Sequence, residues 1–264
     1  MQLYAFVLSK KKSKTRKGGS VAFPQGLRLN RARNRRMKNL IQGKSHVHLF
    51  FEQSGTFKKV FRDFGFQAAD YDLENQFKQT DFQINLFVEI KKAAMDEVSI
   101  FNKIRPYDLI FAFFPCTFFT DQSQLISRGD AHGREKWTDN EKLNLSREDM
   151  RIRAEYYDLL CRLCQVALTR GFQLIIENPL GKGGFLKQYF PLKPNIVIND
   201  RRVLGDTFKK PTQFFYINCL PTYHLISEDD LSLKKSKPIE DIHGFDRSKI
   251  TPEFARRFVE NFIL

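Results

Sequence analysis

The chain has 264 residues, room for one α/β domain with additions and well above the size at which a single core becomes marginal. Four cysteines are too few for a disulfide framework, no signal peptide is recognisable, and the apolar run Leu3 to Leu8 is too short to cross a bilayer. A reducing cytoplasm is therefore the expected compartment, with no membrane span.

The net charge of +14 is lodged in one segment. Met1 to Lys44 holds 13 Lys and Arg and no Asp or Glu, whereas the remainder carries 31 bases against 30 acids. A basic arm on a nearly neutral body is the footprint of phosphate binding, because each neutralised phosphate releases condensed counterions. An anionic membrane surface, a basic signal or a solvated tail are the other readings. Nucleic acid is favoured, because the body points the same way.

Within residues 1–44, Gln2 to Leu8 reads as a short strand, and Lys10 to Gly19 has no apolar periodicity and is expected to be mobile. Arginines 28 to 36 surround few apolar positions, which suggests a basic segment that orders on binding. The body, residues 45–264, begins at VHLFF from Val47, which reads as a buried strand. The turn Glu52 to Gly55 and a helical stretch from Lys58 to Gly65 come next. Strand, small-residue turn and helix make the first unit of a doubly wound, mostly parallel sheet and present backbone N–H groups to an anion. Phe66 to Leu73 is a second strand ending in Asp70 and Asp72. An acid in that place suits the ribose hydroxyls of an adenosine cofactor, Asp72 better than Asp70; capping a turn is the plainer alternative.

The run Ile110 to Phe114 is a central buried strand, ended by Pro115, which has no N–H for the ladder. Cys116 then stands at the sheet's C-terminal edge, where open α/β folds do chemistry. It is a candidate nucleophile, or simply a small buried residue capping the strand. Thr120 to Ser146 is long and polar, with Arg128, Arg134, Lys136 and the only tryptophan, Trp137, and reads as a lid or binding loop. A helix is predicted from Glu148 to Arg170, stopped by Gly171. Cys161 and Cys164 form a CxxC on it, but no second pair lies at zinc-ribbon spacing. The histidines His46, His48, His132, His224 and His243 show no zinc-motif pattern, and no metal is expected. A second buried run, Leu174 to Ile176, delivers Glu177, Asn178 and Pro179 to the same edge. Gln213 to Ile217 is a further strand, and Thr251 with Pro252 opens a C-terminal helix striped by Phe254, Phe258 and Phe262. The 27 Phe predict a phenylalanine-rich core.

LFFEQSG, FFPC, IIENP and KKPTQFF occur in this order between Val47 and Asn218. The ordered set resembles the cytosine-C5 DNA methyltransferase family, and more closely a group of short methyltransferase-like proteins of phages and gut bacteria. Pro115–Cys116 matches the family's proline-cysteine motif and Glu177–Asn178 its glutamate-asparagine motif. The resemblance implies a sheet of the S-adenosylmethionine-dependent methyltransferase type, S-adenosyl-L-methionine as cofactor and DNA more than RNA as partner. It implies cofactor contacts at Glu52, Ser54, Gly55, Asp72, Asn85 and Pro115, with Asp81 the alternative to Asn85. Cys116, Glu177, Asn178 and either Arg201 or Arg202 would form the catalytic set. Cys116 would add as a thiolate to carbon 6 of cytosine, Glu177 would hold or protonate ring nitrogen 3, and Asn178 would fix its geometry.

The chain departs from the family in three respects. Gly55 stands alone where a fuller glycine-rich turn is usual, only Asn218 to Arg247 is available for target recognition, and no glycine-asparagine motif comes after it. Recognition would then fall to the basic arm, the loop or a protein partner. RNA cytosine methylation and a non-catalytic nucleic-acid-binding protein that retains the fold are the other readings. An amino-methyltransferase would want a second proline and an aromatic after Asn178–Pro179, where Leu180 stands.

Overall fold

The computed structural model describes residues 45–120, 123, 136–181, 184–223 and 249–264. The basic arm, most of the expected lid with Arg128 and Arg134, and His132, His224 and His243 lie outside the described residues. Those described form an α/β fold of Rossmann-like kind, a seven-stranded sheet between two helical layers.

The strands are β1 (His46–Phe50), β2 (Gln67–Asp72), β3 (Phe82–Gln83), β4 (Leu109–Phe113), β5 (Gln173–Pro179), β6 (Ile196–Ile198) and β7 (Thr212–Ile217), in spatial order β3-β2-β1-β4-β5-β7-β6. The first five in that order are parallel, and β7 is antiparallel to both its neighbours. The helices are α1 (Thr56–Asp63), α2 (Leu86–Ala94), α3 (Asp139–Arg170), α4 (Phe185–Tyr189) and α5 (Pro252–Phe262).

Side chains alternate across each strand, so the apolar runs feed two cores. Phe50, Ile110, Ala112, Leu174 and Ile176 pack under α2 and α3, whereas Val47, Leu49, Leu109, Phe111 and Ile175 pack under α1 and α5. Phenylalanine dominates both layers: Phe57, Phe111, Phe214, Phe254 and Phe258 fill one, and Phe50, Phe101, Phe114 and Phe172 the other. Connections leave β1 toward β2 and β4 toward β5, in opposite directions, so a crevice opens between the C-terminal ends of β1 and β4.

Three boundaries differ from the sequence expectation. Helix α3 starts nine residues before Glu148, at Asp139, because Thr138 and Glu141 form a capping box: the Glu141 N–H donates to Thr138 Oγ1 at 3.3 Å and the Thr138 N–H to Glu141 Oε2 at 2.7 Å. Its first turns hold only Leu143 and Leu145 among polar residues, two apart and so on different faces, which makes no helical stripe, and the expected loop is helical from 139 onward. Strand β5 does not end before Glu177 but runs through Pro179, because β7 supplies a partner as far as the Pro179–Thr212 pair. Helix α1 begins at Thr56 rather than Lys58. Cys164 is buried in the core face of α3 and Cys161 half-buried beside it.

One ion cluster fixes α1 to the β2–β3 connection. Lys58 Nζ lies 2.9 Å from Asp70, which is fully buried, and 3.2 Å from Asp81 Oδ1, and it also donates to the Gln79 carbonyl. The Asp81 N–H donates to Asp70 Oδ1 at 2.6 Å, and Arg62 reaches Asp81 at 3.0 Å. Asp70 and Asp81, both weighed from sequence as cofactor ligands, are engaged here. Removing Asp70 leaves the buried Lys58 ammonium without its buried partner. Asp70→Ala is therefore expected to cost about 3–5 kcal/mol in urea unfolding, and Lys58→Met with Asp70→Leu to recover most of that loss.

Candidate active site at the C-terminal edge of the sheet

A cleft of about 550 Å3 lies where β1, β2, β4 and β5 end. Chain direction explains its contents. A parallel strand brings its last residues and those just beyond them to this edge, and the reversed β7 brings those before its first. Cys116 and Glu177 arrive by the first route, Lys210 by the second, and all three line the same wall. The Leu180 N–H donates to the Pro211 carbonyl at 2.9 Å and Gln213 Nε2 to the Pro179 carbonyl at 3.2 Å, locking the two routes together.

Cys116 is half-buried, and the Phe119 N–H closes a turn onto its carbonyl at 2.8 Å. Burial pushes its thiol above the ordinary cysteine value; the Lys210 ammonium opposes that shift and the Glu177 carboxyl adds to it. Glu177 is itself pushed up by burial, against the pull of Lys210 and Arg201. A carboxyl held toward its neutral form can donate a proton to a ring nitrogen. Asn178 does not line the cleft: it is buried beneath, and its Nδ2 donates to the Phe114 carbonyl at 3.2 Å, tying the end of β5 to the end of β4.

The two arginines part company. Arg201, 1% exposed, reaches the cleft wall while ion-paired with the equally buried Asp206 and lying over the Phe254 ring at 4.7 Å. Arg202 is turned onto Asp200, with Nε 2.9 Å from Oδ1 and a second nitrogen 2.6 Å from Oδ2, and is not part of the lining.

The other half of the cleft lies beyond β1. Phe51 takes φ 59°, a left-handed conformation costly for a residue with a Cβ, and its ring packs on Phe87 and Phe114. Glu52, 6% exposed, accepts from the Thr56 N–H at 3.2 Å and from the Ser54 hydroxyl through Oε1. Its Oε2 has no hydrogen-bond partner among the described residues, and burial raises the carboxyl to about 6. Gly55 does not line the cleft. Its φ of 69° starts α1, and an added Cβ would meet Gln79 at 3.4 Å. Asp72 lines the cleft while accepting from the Glu74 N–H at 2.9 Å. Asn85 lines it as the N-cap of α2, its Oδ1 accepting from the N–H groups of Phe87 (3.1 Å) and Val88 (3.3 Å). Ser54 and Pro115 complete the expected set in the lining.

No protein-family model matches the chain, and no curated protein matches it.

The lining also includes residues the sequence did not single out: Lys210, Lys249, and the aromatic rings of Phe77, Phe87 and Tyr156. Lys210 sits inside the KKPTQFF run, but only the direction of β7 shows which end of that run meets Cys116. Tyr156 looks like an ordinary core position on α3. Its ring contacts Phe87 at 5.0 Å and Phe118 at 4.9 Å, closing one side of the cleft.

Glu52 gives this site a pH signature. With its carboxyl raised from 4.5 to about 6, the folded protein holds a proton that the unfolded chain releases, so this contribution is complete below pH 4.5 and lost as pH rises through 6. The loss is on the order of 2 kcal/mol. Urea midpoints measured from pH 4 to pH 8 are expected to show that slope, and Glu52→Gln to flatten it.

Proposed function

We propose that this chain is an S-adenosylmethionine-dependent methyltransferase acting on carbon 5 of cytosine in nucleic acid, DNA in preference to RNA, through a covalent adduct of Cys116. The observation that carries the reading is the convergence of Cys116, Glu177 and Lys210 on one wall of a cleft whose opposite half is lined by Glu52, Ser54, Asp72 and Asn85. The strand order, with the single reversed β7 set between β5 and β6, supports a sheet of the methyltransferase type.

The cofactor half fits a charged, hydroxyl-bearing adenosine ligand. Glu52 Oε2 is a buried acceptor without a donor among the described residues, and Asp72 stands at the end of β2 where a ribose would lie. Glu52, Ser54, Asp72, Asn85 and Pro115 would hold the cofactor, which would supply an electrophilic methyl group. The protein's own part is nucleophilic and acid–base. Carbon 5 of cytosine is a poor nucleophile, and addition of the Cys116 thiolate to carbon 6 makes it enamine-like. Glu177, held toward its neutral form, donates to ring nitrogen 3 and spreads the charge that develops there. Lys210 favours the thiolate and pulls Glu177 back toward its charged form. Asn178 holds β4 and β5 in register beneath both. The base must leave the helical stack to reach Cys116. The aromatic lining of Phe77, Phe87 and Tyr156 suits a planar ring system, and the charge of the 1–44 arm suits the phosphates around it.

One observation favours the reading of a non-catalytic binder. Phe51 occupies a left-handed position in the turn where the resembled family carries more glycine, and its side chain forms part of the cofactor half of the cleft. The two readings separate in one assay. Protein, S-adenosylmethionine and DNA containing 5-fluorocytosine are expected to give a stable covalent adduct that Cys116→Ser abolishes. DNA binding that persists without an adduct, with cofactor binding verified, would support the binder.

The rate of adduct formation is expected to rise from pH 7 to pH 9, because burial holds the thiol above its ordinary value. Lys210→Met should slow it at pH 7, because the Lys210 ammonium favours the thiolate, with the gap closing at high pH.

A further inference from the structure

The opposite edge of the sheet holds a second cluster of chemistry-bearing side chains. His46 and His48 lie two apart on β1 and so share one face. The parallel register sets Val47 against Leu109, which brings Asp108, the residue before β4, alongside the start of β1. One ligand atom from each of His46, His48 and Asp108 lies within 4.8 Å of the others. His48 is 7% and Asp108 1% exposed; His46 is half-buried.

The two inner residues are oriented by outer partners. Asp108 Oδ1 accepts from the His46 N–H at 2.9 Å and from Arg105 Nη2 at 3.0 Å, and Oδ2 accepts from the Arg105 N–H at 2.9 Å and from Arg105 Nε at 3.3 Å. His48 Nδ1 is 3.0 Å from the Tyr71 hydroxyl. The Tyr71 hydroxyl can accept from Nδ1–H or donate to Nδ1; in the first tautomer His48 Nε2 carries its lone pair toward the Asp108 carboxylate, and in the second it carries a proton there. Nε2 is buried, has no hydrogen-bond partner among the described residues, and lies 3.5 Å from Asp108 Oδ2. Whichever tautomer holds, the buried Nε2 and Oδ2 face each other across a gap that a proton or a metal cation fills.

We propose that His46, His48 and Asp108 bind a divalent transition-metal ion of the zinc type, with water in the fourth position, and that this ion fastens the start of β1 to the start of β4. Two imidazoles and one carboxylate match zinc and its neighbours, whereas magnesium and calcium want oxygen donors. Histidine and carboxylate ligands that are themselves hydrogen-bonded are the usual outer arrangement of such sites. Bonds of about 2 Å bring tetrahedral ligand atoms to roughly 3.3 Å of one another, so the half-buried His46 ring closes in by rotation about its side-chain bonds. Arg105 competes for Asp108: its N–H and Nε both donate to Oδ2, so metal binding at Oδ2 displaces the longer Nε contact of 3.3 Å and the Arg105 charge weakens the site. Sequence spacing passes over this set because the two histidines are local but the third ligand comes from a strand 60 residues away.

The test uses the full chain, stripped with a chelator and titrated with cobalt(II) and with zinc. One equivalent of cobalt is expected to give the visible bands of a four-coordinate ion without a thiolate charge-transfer band, and zinc to raise the melting temperature. His46→Gln, at a half-exposed position, and His48→Gln should each lower the affinity at least tenfold. Cys161→Ser with Cys164→Ser should leave the equivalent in place, and Arg105→Gln should tighten it. Absence of binding, a thiolate band, or an equivalent unaffected by His46→Gln would each overturn the proposal.

Discussion

The antiparallel ladder between β5 and β7 is the constraint on which the candidate site depends. Six residue pairs, Leu174–Ile217 through Pro179–Thr212, extend β5 past its apolar run and turn the beginning of β7 toward the ends of the parallel strands. A parallel β7 would carry Lys210 to the far edge of the sheet. With the observed direction, a cation meets a thiol and a carboxyl that come from two other strands. The ladder also buries Glu177 and Asn178 between neighbouring strands, and that burial holds Glu177 toward its neutral form.

Electrostatic balance in the cleft depends on how each charge is held. Arg201 is compensated by Asp206 and flattened against Phe254, so it acts as a fixed part of the wall. Cys116, Glu177 and Glu52 all have their charged forms penalised by burial; Lys210 opposes this for the first two, joined at Glu177 by Arg201. Burial pushes the Asp70 carboxyl up as well, but there Lys58 stands in direct ion-pair contact with Asp70 and Asp81 and ties β2 down behind Asp72.

Sequence signals that rest on local chemistry were legible. Thr251 and Pro252 start α5, Gly171 ends α3 with φ 77°, and the runs VHLFF, LIFAF and LIIEN are strands buried on both faces. The placement of Cys116, Glu177 and Asp72 at one edge came from ending each strand on a polar or proline residue. Periodicity failed where apolar residues are sparse, as at the first turns of α3, where a capping box carries the boundary and no stripe does. The choice between Arg201 and Arg202 was likewise invisible, since adjacent arginines differ only in which acid each one meets.

The amino-acid sequence by itself determined the class of fold, the order of its central elements and which strand ends carry reactive side chains, because these depend on periodicity, caps and breakers within short windows. Tertiary structure alone decided the direction of β7, the approach of Lys210 to Cys116, the inward turn of Arg201 and the meeting of His46 and His48 with Asp108. Each of these joins residues distant in the chain, and only strand register and packing bring such residues within a few ångströms.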